Sequence, residues 1–279
     1  MIETLNIENT EAIFCVGDIH GEFETIIYNL KNYDITNSTL IFCGDIGFGF
    51  NKPEYYKQVI RKIDRYCKKV NVMCLFIRGN HDDPQYFNSD LFKKGNVRTL
   101  RDYTLLNVRI DDNERHILCI GGAISIDRQY RINENFKEVQ RYIRFHPNSN
   151  VEEALSVIKK GYWENEAPIY DERFLEEIVI NNINVDYICT HTCPSFALPT
   201  DKDGIKEWLI MDSNLLEDIT NEREVMDNVY NFLREHGTTI RAWYYGHYHE
   251  HNTQEYDGVR FYMLDMSRYG KFDMVEVKN

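Results

Sequence analysis

The sequence predicts an α/β fold built on two β-sheets, and three observations carry that prediction. Short apolar runs alternate with amphipathic stretches through the first third of the chain, the pattern of β-α-β units with parallel strands. From Val97 to Gly122 the texture changes to runs of alternating polarity, as antiparallel strands require. Small glycines flank the polar residues that follow the apolar runs, so sharp turns and chemically capable side chains gather at strand ends.

The candidate strands of the first sheet are Ala12–Val16, Thr39–Cys43 and Val72–Ile77. Between them Glu22–Lys31 and Pro53–Lys69 read as helices, the second opening on a proline whose fixed φ suits the first helical turn. Right-handed crossovers then bring the strand C-termini to one edge. Thr104–Ile110 and His116–Ile120 alternate as antiparallel strands, and the same texture returns at Arg260–Leu264 and Phe272–Val277, so a second sheet packed on the first is expected. Val185–Cys189 and Ala242–Tyr245 are further apolar strands. Val151–Lys160, Asp171–Asn181 and Asn214–His236 read as helices, the last followed by Gly237 at a C-terminal cap position. With no repeat, low-complexity tract or linker, a single domain over residues 1–279 is expected. Asp127–Pro147 and Thr192–Asp212 are less regular, and segments near 127–170 and 192–212 are candidate lids.

A chain with 43% hydrophobic residues can bury a sizeable core. Met1 to Glu11 is acidic and lacks the apolar centre of a secretory signal. No uninterrupted apolar run approaches the roughly 18 residues that cross a bilayer. The expectation is a soluble, cytoplasmic protein with no membrane partner and an undetermined oligomeric state. Five of the seven cysteines, Cys15, Cys43, Cys74, Cys119 and Cys189, sit in or beside apolar runs, the usage of reduced core thiols. Cys189 and Cys193 flank His191, but no second cysteine pair completes a thiolate metal site, so they too read as structural. The net charge of −13 opposes a long nucleic acid, whose binding needs basic surface.

Polar residues of metal-binding type stand at one strand end after another. Gly17-Asp18-Ile19-His20-Gly21 closes the first strand, and Asp18 and His20, two apart in an extended segment, point to the same side. Gly44-Asp45 closes the second strand and Gly79-Asn80-His81-Asp82 the third. His191 follows Val185–Cys189, and Gly246-His247-Tyr248-His249 follows Ala242–Tyr245. Any one of these is ordinary, since a lone Asp or His after a strand is usually a cap or a satisfied surface residue. Their joint occurrence, in the order Asp-x-His, Asp, Asn-His, His, His-x-His, is not ordinary. Open α/β sheets bind ligands at this edge.

On these motifs the chain resembles the calcineurin-like metallophosphoesterase superfamily, whose signature runs Gly-Asp-x-His-Gly, Gly-Asp, Gly-Asn-His-Asp/Glu, a lone His and Gly-His-x-His. The resemblance implies a four-layer α/β/β/α sandwich of two mixed β-sheets flanked by helices. It implies that Asp18, His20 and His249 bind one metal, that Asn80, His191 and His247 bind another, and that Asp45 bridges them. His81 stays unligated. Nitrogen and oxygen ligands suit two divalent or trivalent transition-metal ions, Mn²⁺, Fe, Zn²⁺ or Ni²⁺. The implied chemistry is metal-dependent hydrolysis of a small phosphomonoester or phosphodiester by in-line attack of a metal-bridging hydroxide, with His81 as proton donor or charge stabiliser at the leaving oxygen. A metal-dependent nuclease and a non-catalytic scaffold are the alternatives.

The chain departs from the protein-phosphatase members of that superfamily after Asp45. Where they carry Asp-Arg-Gly, it reads Ile46-Gly47-Phe48-Gly49-Phe50, which removes a phosphate-binding arginine and a carboxylate partner for His81. This tilts the expected substrate toward a small phosphodiester or nucleotide. Phe48 and Phe50 are then candidates for a pocket wall. Arg128 and Arg131, in Gly121-Gly122-Ala123-Ile124-Ser125-Ile126-Asp127-Arg128-Gln129-Tyr130-Arg131, are candidate substrate-binding groups because the planar guanidinium suits phosphate. Pairing with Glu134 or Glu138 is the competing role. Similar Gly-Gly-Ala-x-Ser-Ile-Asp segments occur in an uncharacterised bacterial and phage branch of the superfamily.

Overall fold

The computed structural model describes residues 3–110, 113–158, 160–199 and 205–278. Its strands are β1 (Thr4–Ile7), β2 (Ala12–Val16), β3 (Ser38–Phe42), β4 (Val72–Phe76), β5 (Val97–Thr99) and β6 (Thr104–Ile110). They continue as β7 (Asn113–Ile120), β8 (Tyr187–Thr190), β9 (Ala242–Tyr245), β10 (Asn252–Tyr256), β11 (Val259–Met263) and β12 (Met274–Glu276). The helices are α1 (Phe23–Asn32), α2 (Pro53–Val70), α3 (Gln85–Asn88), α4 (Arg128–Phe145), α5 (Val151–Val157), α6 (Glu172–Ile180), α7 (Ile205–Leu209) and α8 (Leu215–Glu235).

One sheet has the order β12-β2-β3-β4-β5, with β2 to β5 parallel and β12 antiparallel to β2. Helices α1 and α2 make its crossovers and bury Phe23, Ile26, Leu30, Ile60 and Ile63 on its outer face. Helix α2 opens on Pro53 and ends at Asn71, whose left-handed φ of 52° stops the helix and turns the chain into β4. The other sheet has the order β1-β6-β7-β8-β9-β11-β10. In it β6 and β7 form an antiparallel hairpin, whereas β7, β8, β9 and β11 run parallel.

Three apolar layers hold this together. Between the sheets, Cys15, Ile41 and Leu75 meet Val108, Ile117, Cys189 and Tyr244. Outside the larger sheet, Leu175 and Ile178 of α6 and Met226, Val229 and Leu233 of α8 cover Ile188 and Trp243. With α1 and α2 on the opposite outer face, the arrangement is the expected four-layer α/β/β/α sandwich. All seven cysteines are buried free thiols, and burial pushes Cys15, Cys43 and Cys189 above the ordinary thiol range.

Several expectations need correction. Phe272–Val277 supplies β12 to the edge of the first sheet, not a strand of the second. Strand β1 went unrecognised because its Thr4-Leu5-Asn6-Ile7 is short and mostly exposed, and it pairs parallel with β6. Most of Asp127–Pro147 is not an irregular connection but helix α4. Only Val139 of α4 is buried, so no apolar stripe betrays it. Local pairs instead link Arg131 to Asp127, Lys137 to Glu134 and Arg141 to Glu138. Helix α5 ends at Val157, short of Lys160. Lys159 and residues 200–204 of the two candidate lids lie outside the described residues. Among the described residues, no helix is long and apolar enough to cross a membrane.

Candidate metal centre

The C-terminal ends of β2, β3, β4, β8 and β9 meet above the seam between the two sheets. Asp18 and His20 follow β2, Asp45 follows β3, Asn80 and His81 follow β4, His191 follows β8, and His247 and His249 follow β9. The chain turns abruptly at each, and His20, Asp45, His247 and His249 all hold positive φ, at 42°, 48°, 73° and 55°. Strained backbone of this kind persists where surrounding structure over-determines it, and it clusters at functional sites. Two glycines permit the close approach. A Cβ on Gly79 would stand 2.1 Å from Asp45 Oδ1, and one on Gly246 would stand 2.1 Å from Asp18 Oδ1.

Asp18, His20, Asp45 and His249 bring one ligand atom each to within 4.8 Å of one another. His20 Nε2 lies 3.0 Å from His249 Nε2, and His249 Nε2 lies 3.3 Å from Asp18 Oδ2. On the other side of Asp45, His191 Nε2 is 3.2 Å from Asp45 Oδ1 and 2.9 Å from Asn80 Oδ1. The His247 ring sits edge-on to His191, with centroids 5.0 Å apart. His191 Nδ1 donates to the Cys43 carbonyl at 2.7 Å, which leaves Nε2 as the ring nitrogen directed at the cluster. Asp45 is thus flanked by two groups of donors.

The electrostatics favour a cation here. Asp18, Asp45 and His191 are essentially inaccessible to solvent. Burial opposes charge on His191, yet Asp45 and Asp18 overcome it and push its pKa up to about 10. Burial likewise acts to raise Asp45, but His191 and His81 outweigh it and hold the carboxyl well below the usual range. Two buried carboxylates this close need positive charge, and an oxygen and nitrogen donor set without thiolate suits hard or borderline metal ions.

His81 stands at the rim, with Nε2 3.9 Å from Asp45 Oδ2. Burial pushes its pKa down to about 4, against the opposing charge of Asp45 and with the help of Arg131. The cavity beside it, of about 280 Å³, is lined by Asn80, His81, Ser125, Asp127, Arg131 and His247 among others. Arg131 donates to Asp127 at 2.7 Å and to the Gly161 carbonyl at 3.1 Å. Arg128 is the correction, because it does not line this cavity. Its guanidinium is tied to Asp212 at 2.6 Å and Asp218 at 2.5 Å, where it fastens the start of α4 to the start of α8. Neither arginine pairs with Glu134 or Glu138.

Phe48 is a second correction. It is fully buried and stacks on Tyr86 in the core beneath the site, while only Phe50 approaches, its ring 6.3 Å from His81. Trp163 packs against the Gly49 turn, as a core residue.

A sequence model of the calcineurin-like phosphoesterase family matches residues 12–251. The chain belongs to the calcineurin-like phosphoesterase family. It is therefore a metal-dependent phosphoric ester hydrolase, and divalent metal ions fit its Asp18, His20, Asp45 and His249 cluster. No curated protein sequence matches it significantly. Among solved structures, it is similar to a dimetal phosphatase from Danio rerio, at 13% identity over 93% of this chain and 88% of that one, with a TM-score of 0.47. It is similar also to the phosphopantetheinyl hydrolase of Mycobacterium tuberculosis, at 13% identity over 96% and 97% of the two chains, with a TM-score of 0.41. A serine/threonine phosphatase from Saccharomyces cerevisiae aligns at 14% identity over 95% and 71%, with a TM-score of 0.34.

Sequence reasoning missed the residues that hold this calcineurin-like phosphoesterase site in place. The Asp82 carboxylate accepts backbone N–H groups of Ile46, Gly47, Phe48 and Gly79 and so fixes the turn that carries Asp45. Glu222 accepts from Ile124 N and Thr192 Oγ1, tying the β7–α4 loop to the segment after His191. Asp82 closes the Gly79-Asn80-His81-Asp82 motif but has no role assigned to it, and Glu222, between Asn221 and Arg223, offers no advance signal.

Proposed function

We propose that the chain hydrolyses a small phosphomonoester or phosphodiester at a centre of two metal ions, with a lean toward a diester or nucleotide. The observation that carries this reading is the meeting of Asp18, His20, Asp45 and His249 on one side and Asn80 and His191 on the other, with the Asp45 carboxylate between them. When bound there, two such ions supply a water of lowered pKa and offset the charge on the phosphate oxygens.

The chain's own residues do the rest. Asp18, His20 and His249 would hold one ion, Asn80, His191 and His247 the other, and Asp45 would serve both. His81, outside the ligand set, donates its N–H to the leaving oxygen and stabilises the charge that develops there. Arg131 presents a guanidinium to the phosphate. Among the described residues two of its five N–H groups are committed, which leaves a fork for a phosphate oxygen. Asp127 aims that fork and adds negative charge near His81. It is the candidate for the part that the missing Asp-Arg-Gly carboxylate leaves open. A cavity of about 280 Å³ and a net charge of −13 favour a compact substrate over a long nucleic acid.

The test is hydrolysis of p-nitrophenyl phosphate against bis-p-nitrophenyl phosphate by metal-stripped protein resupplied with Mn²⁺. Metal-dependent turnover supports the reading, and the preferred ester separates monoesterase from diesterase. Protein that binds metal and turns over neither ester would favour the scaffold alternative.

A further inference from the structure

We infer that Ser125 is a positioning residue for the metal ligand Asn80, and that Glu166 holds Ser125 in that role. The inference rests on the two-metal reading above. An asparagine side chain can ligate a metal only through Oδ1, because the amide nitrogen lone pair is delocalised. Its two ends are nearly identical in shape, so its partners alone decide which faces the ion.

Those partners are fully specified here. Asn80 Nδ2 donates to Ser125 Oγ at 2.9 Å. Ser125 Oγ in turn donates to Glu166 Oε2 at 2.6 Å, and Ser125 N donates to Glu166 Oε1 at 2.9 Å. Both carboxylate oxygens therefore receive a hydrogen from Ser125. With Glu166 ionised, Ser125 gives it its single hydroxyl hydrogen and can only accept from Asn80, and that places Nδ2 on the serine side and Oδ1 toward His191. A turned amide would set Oδ1 against a Ser125 oxygen whose only hydrogen is already given to Glu166.

Glu166 is itself anchored from the segment after β4 that bears Asn80. Arg78, two residues before Asn80, donates to the Glu166 carbonyl at 2.7 Å and to the Asn165 carbonyl at 3.1 Å. The Glu166 carbonyl also accepts from Ala123 N at 3.1 Å, within the Gly-Gly-Ala-Ile-Ser loop. Asn80, Ser125 and Glu166 are all buried, which limits competition from water for these bonds. The Gly121-to-Asp127 segment thus carries a ligand-orienting serine besides the groups at the cavity rim.

The test is stepwise Mn²⁺ binding to metal-stripped protein by calorimetry, with Ser125→Ala, Asn80→Asp and the double variant beside the unsubstituted chain. Loss of an outer partner weakens metal binding by about 10–100-fold. Ser125→Ala is expected to show that loss at one of the two ions and none at the other. Aspartate has two equivalent oxygens and needs no orientation, so the same substitution in the Asn80→Asp background is expected to cost little. The inference is overturned if Ser125→Ala binds both ions normally, if it weakens both alike, or if its penalty is undiminished beside Asn80→Asp. Unsubstituted protein that binds no Mn²⁺ overturns the two-metal reading as well. Protein that binds two ions but hydrolyses no ester sinks only the proposed reaction, since binding still reads Ser125.

Discussion

Asp82→Asn isolates the contribution of a single buried acid to the architecture of the site. Asp82 Oδ1 accepts Gly47 N at 2.7 Å and Phe48 N at 2.8 Å, and Oδ2 accepts Gly79 N at 2.9 Å and Ile46 N at 3.0 Å. Whichever way the asparagine amide is turned, its NH₂ group faces two of these four donors. Two hydrogen bonds to a charged group are lost, each of about 1.5–3 kcal/mol, which sums to about 3–6 kcal/mol. Burial and the nearby Asp45 carboxylate push the Asp82 pKa up to about 6, so the substitution also relieves like-charge repulsion, and the lower half of that range is expected. Against a whole-domain stability of about 5–15 kcal/mol this is a large fraction. Urea unfolding of metal-free protein, at a pH well above 6, measures it. Because Ile46 follows Asp45 directly, Mn²⁺ affinity is expected to fall as well. A loss of less than about 1 kcal/mol would refute the view that this carboxylate organises the turn.

His81→Ala is expected to retain both ions while lowering kcat by about 10²–10⁴-fold, whereas Asp45→Ala loses metal and turnover together; metal content alongside kinetics separates them. Arg131→Ala is expected to lower kcat/KM by about 10–100-fold with little change in stability. Arg128→Ala is expected to do the reverse, costing about 1–3 kcal/mol in unfolding because Asp212 and Asp218 lose their partner, with kcat/KM nearly unchanged. Lys93, half-buried and donating to the Phe87 and Thr99 carbonyls, has its pKa lowered from its ordinary 10.5 to about 8. Its folded pKa lies below its unfolded one, so stability rises as pH climbs from about 8 to 10.5, and Lys93→Met should flatten that rise in urea titrations across the same window.

The fold was legible where burial leaves a period in the sequence. Helix α2 shows its buried Tyr56, Val59, Ile60, Ile63 and Cys67 at helical spacing, and Pro53 marks its start. Strands β3 and β8 are buried along their whole length and carry the apolar runs Leu40-Ile41-Phe42 and Tyr187-Ile188-Cys189. Helix α4 was illegible for the complementary reason. Its Tyr130, Ile132, Phe136 and Phe145 stay exposed, so its apolar residues report no common face. Strand β12 was placed in the wrong sheet because alternation reveals a strand but not its neighbour, and pairing with β2 depends on where the end of the chain comes to rest.

The ligands of the site were legible because their chemistry is carried by residue type and their position by the end of a strand. What holds them is not written that way. Asp82 acts on a turn more than thirty residues earlier, and Glu166 acts on Asn80 through Ser125 from a segment that Arg78 anchors. In sequence Asp82 is a motif residue without an assigned role and Glu166 an unremarked acid, and only the meeting of distant segments makes each a fixed point. Arg128 and Arg131 sharpen the contrast. They share a residue type and lie three positions apart, yet Asp212 and Asp218 draw the first toward α8 while Asp127 leaves the second at the cavity. Residue type could nominate both arginines for phosphate, but the carboxylates that each one meets decide between them.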